Sequence, residues 1–204
     1  GGKIQEKGGP NWRGKLLTFS YCFILLSFGL TMGAIGLSIS PLSKLTRMPI
    51  PQMGWLFTNR GLGAIVGTLL GGWLMNYSSQ KLSVRASNVL LLTTVWTTAL
   101  IIALIPRVHQ FWTLDLLFLA YGFTGGVILI GCNLLTLWLW QSATVHFALN
   151  ASAGFGSFLA PLLFWANRFD LRYMNYGMAS MLTAAGILLG LSTLLHYPIT
   201  IHKH

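Results

Sequence analysis

Six stretches of this chain, at about 16–40, 54–76, 87–105, 112–137, 146–166 and 174–196, are apolar over lengths that could cross a bilayer as helices. A hydrocarbon core of about 30 Å needs roughly 20 residues at about 1.5 Å rise each. No other feature constrains the fold as strongly, because inside lipid every backbone N–H and C=O must find its partner within the protein. Runs of this length satisfy that demand as helices, so the sequence predicts an all-α membrane protein with six transmembrane helices. Charged residues make up 8% of the 204 residues and the mean hydropathy is +0.66. Soluble domains carry roughly a quarter charged residues, so this chain lacks the polar surface needed to face water.

The division that follows is a polar tail over 1–15, a six-helix domain over 16–196 and a short polar tail over 197–204. Pro41, Pro49 and Pro51 read as the first loop, Pro106 as the end of the third span, and "NRFDLR" (167–172) as the break between the fifth and sixth. The net charge of +10 sits mostly between the apolar runs, as expected of loops facing lipid headgroups rather than nucleic acid. Lys3, Lys7, Arg13, Lys15, Lys81, Arg85 and Lys203 fall on the side of the N-terminus, against Lys44, Arg47, Arg107, Arg168 and Arg172 opposite. This balance favours both termini in the cytoplasm. The predicted location is multi-pass in a membrane, taken to be the plasma membrane, with lipid as the surrounding partner.

Small residues organise the helices. Gly63, Gly67 and Gly71 line one face of the second span, and Gly122 and Gly126 one face of the fourth; such stripes let membrane helices approach closely. Ala153, Ser157 and Pro161 follow the first stripe at an offset of 90, with Asn150 in the place of Arg60. That spacing suggests two inverted three-helix repeats.

Polar residues inside the spans are the candidate functional groups. Arg60 and Asp115 lie near the same end of the second and fourth spans, and closure of the glycine faces would pair them as an intramembrane ion pair. The alternative is that Arg60 extends alone to the headgroups. Asn133 continues the stripe of Gly122 and Gly126, while Thr31 and Ser38 come from the first span and Asn150, with Ser152, from the fifth. Neutral amides and hydroxyls both donate and accept, which suits a sugar-like solute; they also serve as links between helices. Trp138 and Trp140 could cover a sugar's apolar face or mark the headgroup belt. The sequons at Asn76 and Asn150 fall at a membrane surface and at the start of a helix. The five histidines have no spacing that suggests a metal, and no nucleophile has a base in view, so an enzyme is not expected.

The segment "FTNRGLGAIVGTLLGGWLMN" with the basic loop "SSQKLSVR" resembles the second helix and following loop of the major facilitator superfamily. Gly72, Trp73 and Leu74 fit its Gly-x-Leu-x-Asp pattern, while Asn76 stands where the acid is usual. Together with "GLSISPLSKLT", "GCNLLTLWLWQ" and "SAGFGSFLAPLLF", the order and spacing over about 16–165 resemble the branch of sodium-dependent glucose transporter 1. The resemblance implies a half bundle in which helices 1 and 4 line a cavity, 2 and 5 flank it, and 3 and 6 face lipid. Members have twelve helices in two halves that rock about a central site. The expected function is therefore the N-terminal half of a secondary transporter moving a sugar or similar solute by alternating access. Its expected partners are a missing second half or a second copy. No cofactor is expected beyond a coupling cation, sodium or a proton. Asn76 puts the usual ion pairing of the outward-facing state in doubt, and leaves Asp115 as the only acid within a span. A reading from another class is a truncated relative acting as a membrane interaction or scaffold protein.

Overall fold

The apolar runs form long helices for the reason that predicted them: each backbone group is bonded within its own segment. The computed structural model describes residues 12–81, 83–140, 142–166 and 170–196. The chain runs through α1 (Trp12–Leu37), α2 (Ile39–Thr46), α3 (Ile50–Lys81), α4 (Val84–Leu104), a 3-10 turn (Ile105–Arg107), α5 (Phe111–Leu139), α6 (Ala143–Ala166) and α7 (Leu171–His196). No strand occurs among the described residues. Among the described residues, five helices are long and apolar enough to span a membrane: α1, α4 with its following turn, α5, α6 and α7. The sixth expected span lies in α3, which is longer at 32 residues but less apolar. Gln52, Asn59, Arg60, Asn76 and Gln80 account for the difference.

The boundaries depart from expectation where proline was read as loop punctuation. Pro41 is the third residue of α2 and Pro51 the second of α3, positions whose N–H has no partner within the helix and is not missed. The expected first loop therefore contains a short helix, and α3 starts four residues early. Arg47 ends α2 in the left-handed region (φ 56°), the Met48 N–H bonds the Ser43 carbonyl at 3.2 Å, and the Ser43 hydroxyl donates to the Met48 carbonyl at 2.6 Å. Ser83 caps α4 by accepting from the Ala86 N–H at 3.2 Å, and the Asp170 carboxylate accepts from the Arg172 N–H at 2.8 Å at the start of α7. Trp12–Lys15, expected in the polar tail, are helical. The remainder of that tail, the 197–204 tail, Lys3, Lys7, Arg168 and Lys203 lie outside the described residues.

The helices associate as pairs, α3 with α5, α1 with α6 and α4 with α7. Over half of the apolar spans of α1 and α5 is buried inside the bundle, against 22% for α6, so α1 and α5 form its centre. Because lipid tails are as apolar as leucine, association relies on close packing and interhelical bonds rather than on the hydrophobic effect. Backbones therefore meet at glycine. Gly63 lies against Leu119 and Phe123, Gly67 against Phe123, Gly122 against the Arg60 carbonyl, and Gly126 against Ala64 and Thr68. In the other seam, Gly156 lies against Leu26 and Leu30, Gly29 against the Ala153 carbonyl, and Gly33 against Ser157. The Ser157 hydroxyl adds a bond to the Gly29 carbonyl at 2.8 Å.

These two seams share one numbering. Gly63 and Gly156, Gly29 and Gly122, Gly33 and Gly126, Leu26 and Leu119, and Leu30 and Phe123 are each 93 positions apart. The offset of 90 expected from the small-residue stripes is not the one the contacts follow. The residue matching Gly63 is Gly156, and Ala153 matches Arg60. A sequence match on small residues leaves the register free by a turn, and contact between backbones fixes it.

Candidate functional site

The glycine seam between α3 and α5 sets the position of the two intramembrane charges. Both helices run in the same direction, and the Arg60 backbone lies against Gly122. Gly122 is seven residues beyond Asp115, about 10 Å along the axis. The expected Arg60–Asp115 ion pair is not formed. The residue that reaches Asp115 is Asn59, whose amide donates to the carboxylate Oδ2 at 2.6 Å, while Oδ1 is shielded and has no partner. Arg60 turns instead over the ring of Tyr121, with its guanidinium carbon 5.6 Å from the ring centre.

Tyr121 carries this contact onward to the bundle centre. It is fully buried, its hydroxyl shares a 2.7 Å bond with Thr31 Oγ1 on α1, and Thr31 also bonds the Phe28 carbonyl at 2.7 Å. Phe28 packs on the Tyr121 ring with centroids 5.9 Å apart and fills the space beside Gly125. A cation over an aromatic face is worth about 2 kcal/mol when desolvated, and the tyrosine hydroxyl requires a partner when buried. The chain Arg60–Tyr121–Thr31 therefore ties α3, α5 and α1 together. Sequence reasoning missed Tyr121 and Asn59. The signal was available in "AYGFTGG", where a tyrosine between small residues is a buried hydroxyl in need of a bond.

This geometry carries a prediction. Exchanging the charges, Arg60→Asp with Asp115→Arg, should leave yield and monodispersity on fluorescence size-exclusion no better than the worse single variant. Recovery in the double variant would show that the two side chains do pair.

The four residues expected to meet solute divide into two groups. Asn133 and Asn150 come together: the Asn150 amide donates to Asn133 Oδ1 at 3.3 Å and to the His146 carbonyl at 2.9 Å, and the Asn133 amide donates to the Leu129 carbonyl at 2.9 Å. Each retains capacity among the described residues: the Asn150 carbonyl oxygen accepts nothing although both its NH₂ hydrogens are bonded, and the Asn133 NH₂ has used one of its two hydrogens. Thr31 and Ser38 do not join them. Thr31 is committed to Tyr121, and Ser38 is buried with its hydroxyl on the Ala34 carbonyl at 2.8 Å. In a helix a short hydroxyl finds its own carbonyl one turn back more readily than a distant solute. Ser152 does the same with Leu149 at 2.6 Å.

Two further groups surround the amide pair. His146 precedes Asn150 by one turn, and its Nε2 is shielded without a partner. Trp140 donates from Nε1 to Thr18 Oγ1 at 2.6 Å, so it links the end of α5 to α1. Trp138 is 37% exposed. Chemically the arrangement can donate and accept hydrogen bonds to a neutral polar molecule from α5 and α6.

Apolar helices seamed by glycine, with hydrogen bonds between polar groups of different helices, define a multi-pass α-helical membrane protein. Over 161 residues the chain is 29% identical to sodium-dependent glucose transporter 1 of Danio rerio, covering 78% of this chain and 26% of that protein. It is 31% identical over 140 residues to sodium-dependent glucose transporter 1A of Mus musculus, covering 68% and 31%, and 27% identical over 148 residues to human major facilitator superfamily domain-containing protein 4A, covering 72% and 28%. The chain is a homologue of these major facilitator superfamily proteins. It spans less than a third of the length of the curated relatives it matches. No family model and no solved structure matches it.

Proposed function

We propose that the chain is the N-terminal six-helix half of a secondary transporter that moves a sugar or similar small polar solute by alternating access. The observation that carries this reading is the recurrence of one glycine seam at an interval of 93 positions. Two structural repeats of opposite orientation, α1, α3 and α4 followed by α5, α6 and α7, would generate such a recurrence. In this reading α3 also spans the membrane, Arg60 being accommodated by the Tyr121 ring. The relatives support the solute class by name, two of them being sodium-dependent glucose transporters.

The solute contacts are Asn133 and Asn150, on helices that belong to different seams. Large apolar side chains stand exposed on the flanking helices, among them Leu69 and Trp73 on α3 and Phe158 and Trp165 on α6. A second six-helix half, from a longer chain or a second copy, would cover part of this surface and complete the cavity, with lipid against the rest. Both termini face the cytoplasm of a plasma-membrane carrier, and sodium or a proton supplies the coupling.

The test is uptake of labelled glucose by reconstituted protein together with its detergent-corrected mass. Saturable uptake should appear only in fractions whose mass is at least twice the 22.4 kDa of one chain or that contain a second half. Replacing sodium by choline should reduce it if sodium is the coupling ion and leave it unchanged if a proton is. Saturable uptake by a single copy would overturn the proposal.

A further inference from the structure

A cleft of about 170 Å³ opens between α4 and α7, lined by Arg85, Asn88, Val89, Leu92, Gly190, Thr193 and Leu194. It lies apart from the amide pair. Arg85 is the second residue of α4, which sets its guanidinium at headgroup depth when the rest of α4 fills the hydrocarbon core. No hydrogen bond or ion pair is made by Arg85 among the described residues. Thr193 is 95% buried, and its hydroxyl has no partner. A helical threonine ordinarily bonds the carbonyl one turn back, so an orphan hydroxyl lining a cleft beside a free guanidinium calls for a ligand.

Asn88 supplies a third donor. Its carbonyl oxygen accepts from the Tyr21 hydroxyl at 2.6 Å and its amide donates to the Val84 carbonyl at 3.2 Å, leaving one amide hydrogen. The cleft is therefore rich in donors, carries a positive charge, and contains no carboxylate among its lining residues. Its rim is apolar: Val89 and Leu194 are about half exposed, and Gly190 leaves the groove floor low beside Leu92. An oxyanion with hydrocarbon attached matches both halves of this surface.

We infer that the cleft between α4 and α7 binds an anionic phospholipid, its phosphate held by Arg85, Asn88 and Thr193 and its acyl chains lying along Val89, Leu92 and Leu194. The guanidinium fork bonds the two non-bridging phosphate oxygens, and the threonine hydroxyl donates to one of them as well. A choline headgroup would bring a second cation towards Arg85, so an anionic lipid binds more tightly than a zwitterionic one.

The test is native mass spectrometry of the full chain in detergent, titrated separately with phosphatidylglycerol, phosphatidylcholine and inorganic phosphate. Wild-type protein should retain phosphatidylglycerol in preference to phosphatidylcholine. Arg85→Gln and the nearly isosteric Thr193→Val should each weaken retention, the former by about ten-fold, as expected for loss of a charge-assisted bond. Arg172→Gln, at the other end of α7, should leave it unchanged. Equal retention of the two lipids by wild-type protein, a measurement that needs no variant to fold, would overturn the inference. So would unchanged retention by Arg85→Gln, or a phosphate adduct that displaces phosphatidylglycerol, which would make the cleft a site for a free anion.

Discussion

Gly122→Leu is expected to leave little folded protein in detergent, whereas Gly154→Leu should be purified at wild-type yield. A side chain added at Gly122 would overlap the Arg60 backbone carbonyl, and neither partner is the movable end of a flexible chain; at Gly154 nothing lies within 4 Å. Overpacking alone costs about 1–3 kcal/mol. Here the only relief is separation of α3 from α5, which also forfeits the dispersion contacts that hold membrane helices together. A loss above about 3 kcal/mol follows, enough to unfold a marginally stable domain.

The same argument ranks the other glycines. Gly29→Leu should be as damaging as Gly122→Leu, because Gly29 meets the Ala153 carbonyl in the second seam. Gly71→Ala should be milder, since its nearest neighbours include the Val127 side chain, which can shift. Yield and melting temperature on size-exclusion read the order. If Gly29→Leu is tolerated while Gly122→Leu is not, the two seams are not equivalent and the repeat loses its support.

Asn133→Ala and Asn150→Ala should show the opposite pattern, normal folding with uptake per folded molecule reduced by about ten- to a hundred-fold. The bond between the two amides is a single interhelical contact at 3.3 Å, of a kind worth roughly 0.6 kcal/mol in membranes. A polar solute that loses one amide, by contrast, forfeits its bond and leaves its own hydroxyl desolvated, at about 1–3 kcal/mol. A large drop in melting temperature that accounts for the lost uptake in both variants would make the pair a helix link and nothing more. Because Thr31 is committed to Tyr121, Thr31→Val should act through stability, lowering the melting temperature while leaving the uptake of the surviving molecules near normal.

Each of the six apolar runs falls in a long helix, five of them apolar enough to span a membrane among the described residues, and their glycine stripes marked the surfaces that meet. Asn133 and Asn150 were each visible as polar residues inside spans, but not as a pair. Other features were hidden for local reasons. The helix α2 was masked by Pro41, which sits in a first turn where proline is tolerated. The partner of Asp115 was misassigned because Asn59 and Arg60 are neighbours in sequence, and a few ångströms of helix offset decides which one reaches the carboxylate.

The sequence by itself determined that this chain is helical and lies in a membrane, and which helix faces are smooth enough to touch. Those properties are local, following from the solvation of one side chain or one backbone unit at a time. Only the tertiary structure decided the register, 93 positions rather than 90, and with it the pairing of Arg60 with Tyr121, of Thr31 with Tyr121, and of Asn133 with Asn150. Such choices depend on the offset between two helices, which is settled when backbone atoms of residues far apart in the chain come into contact.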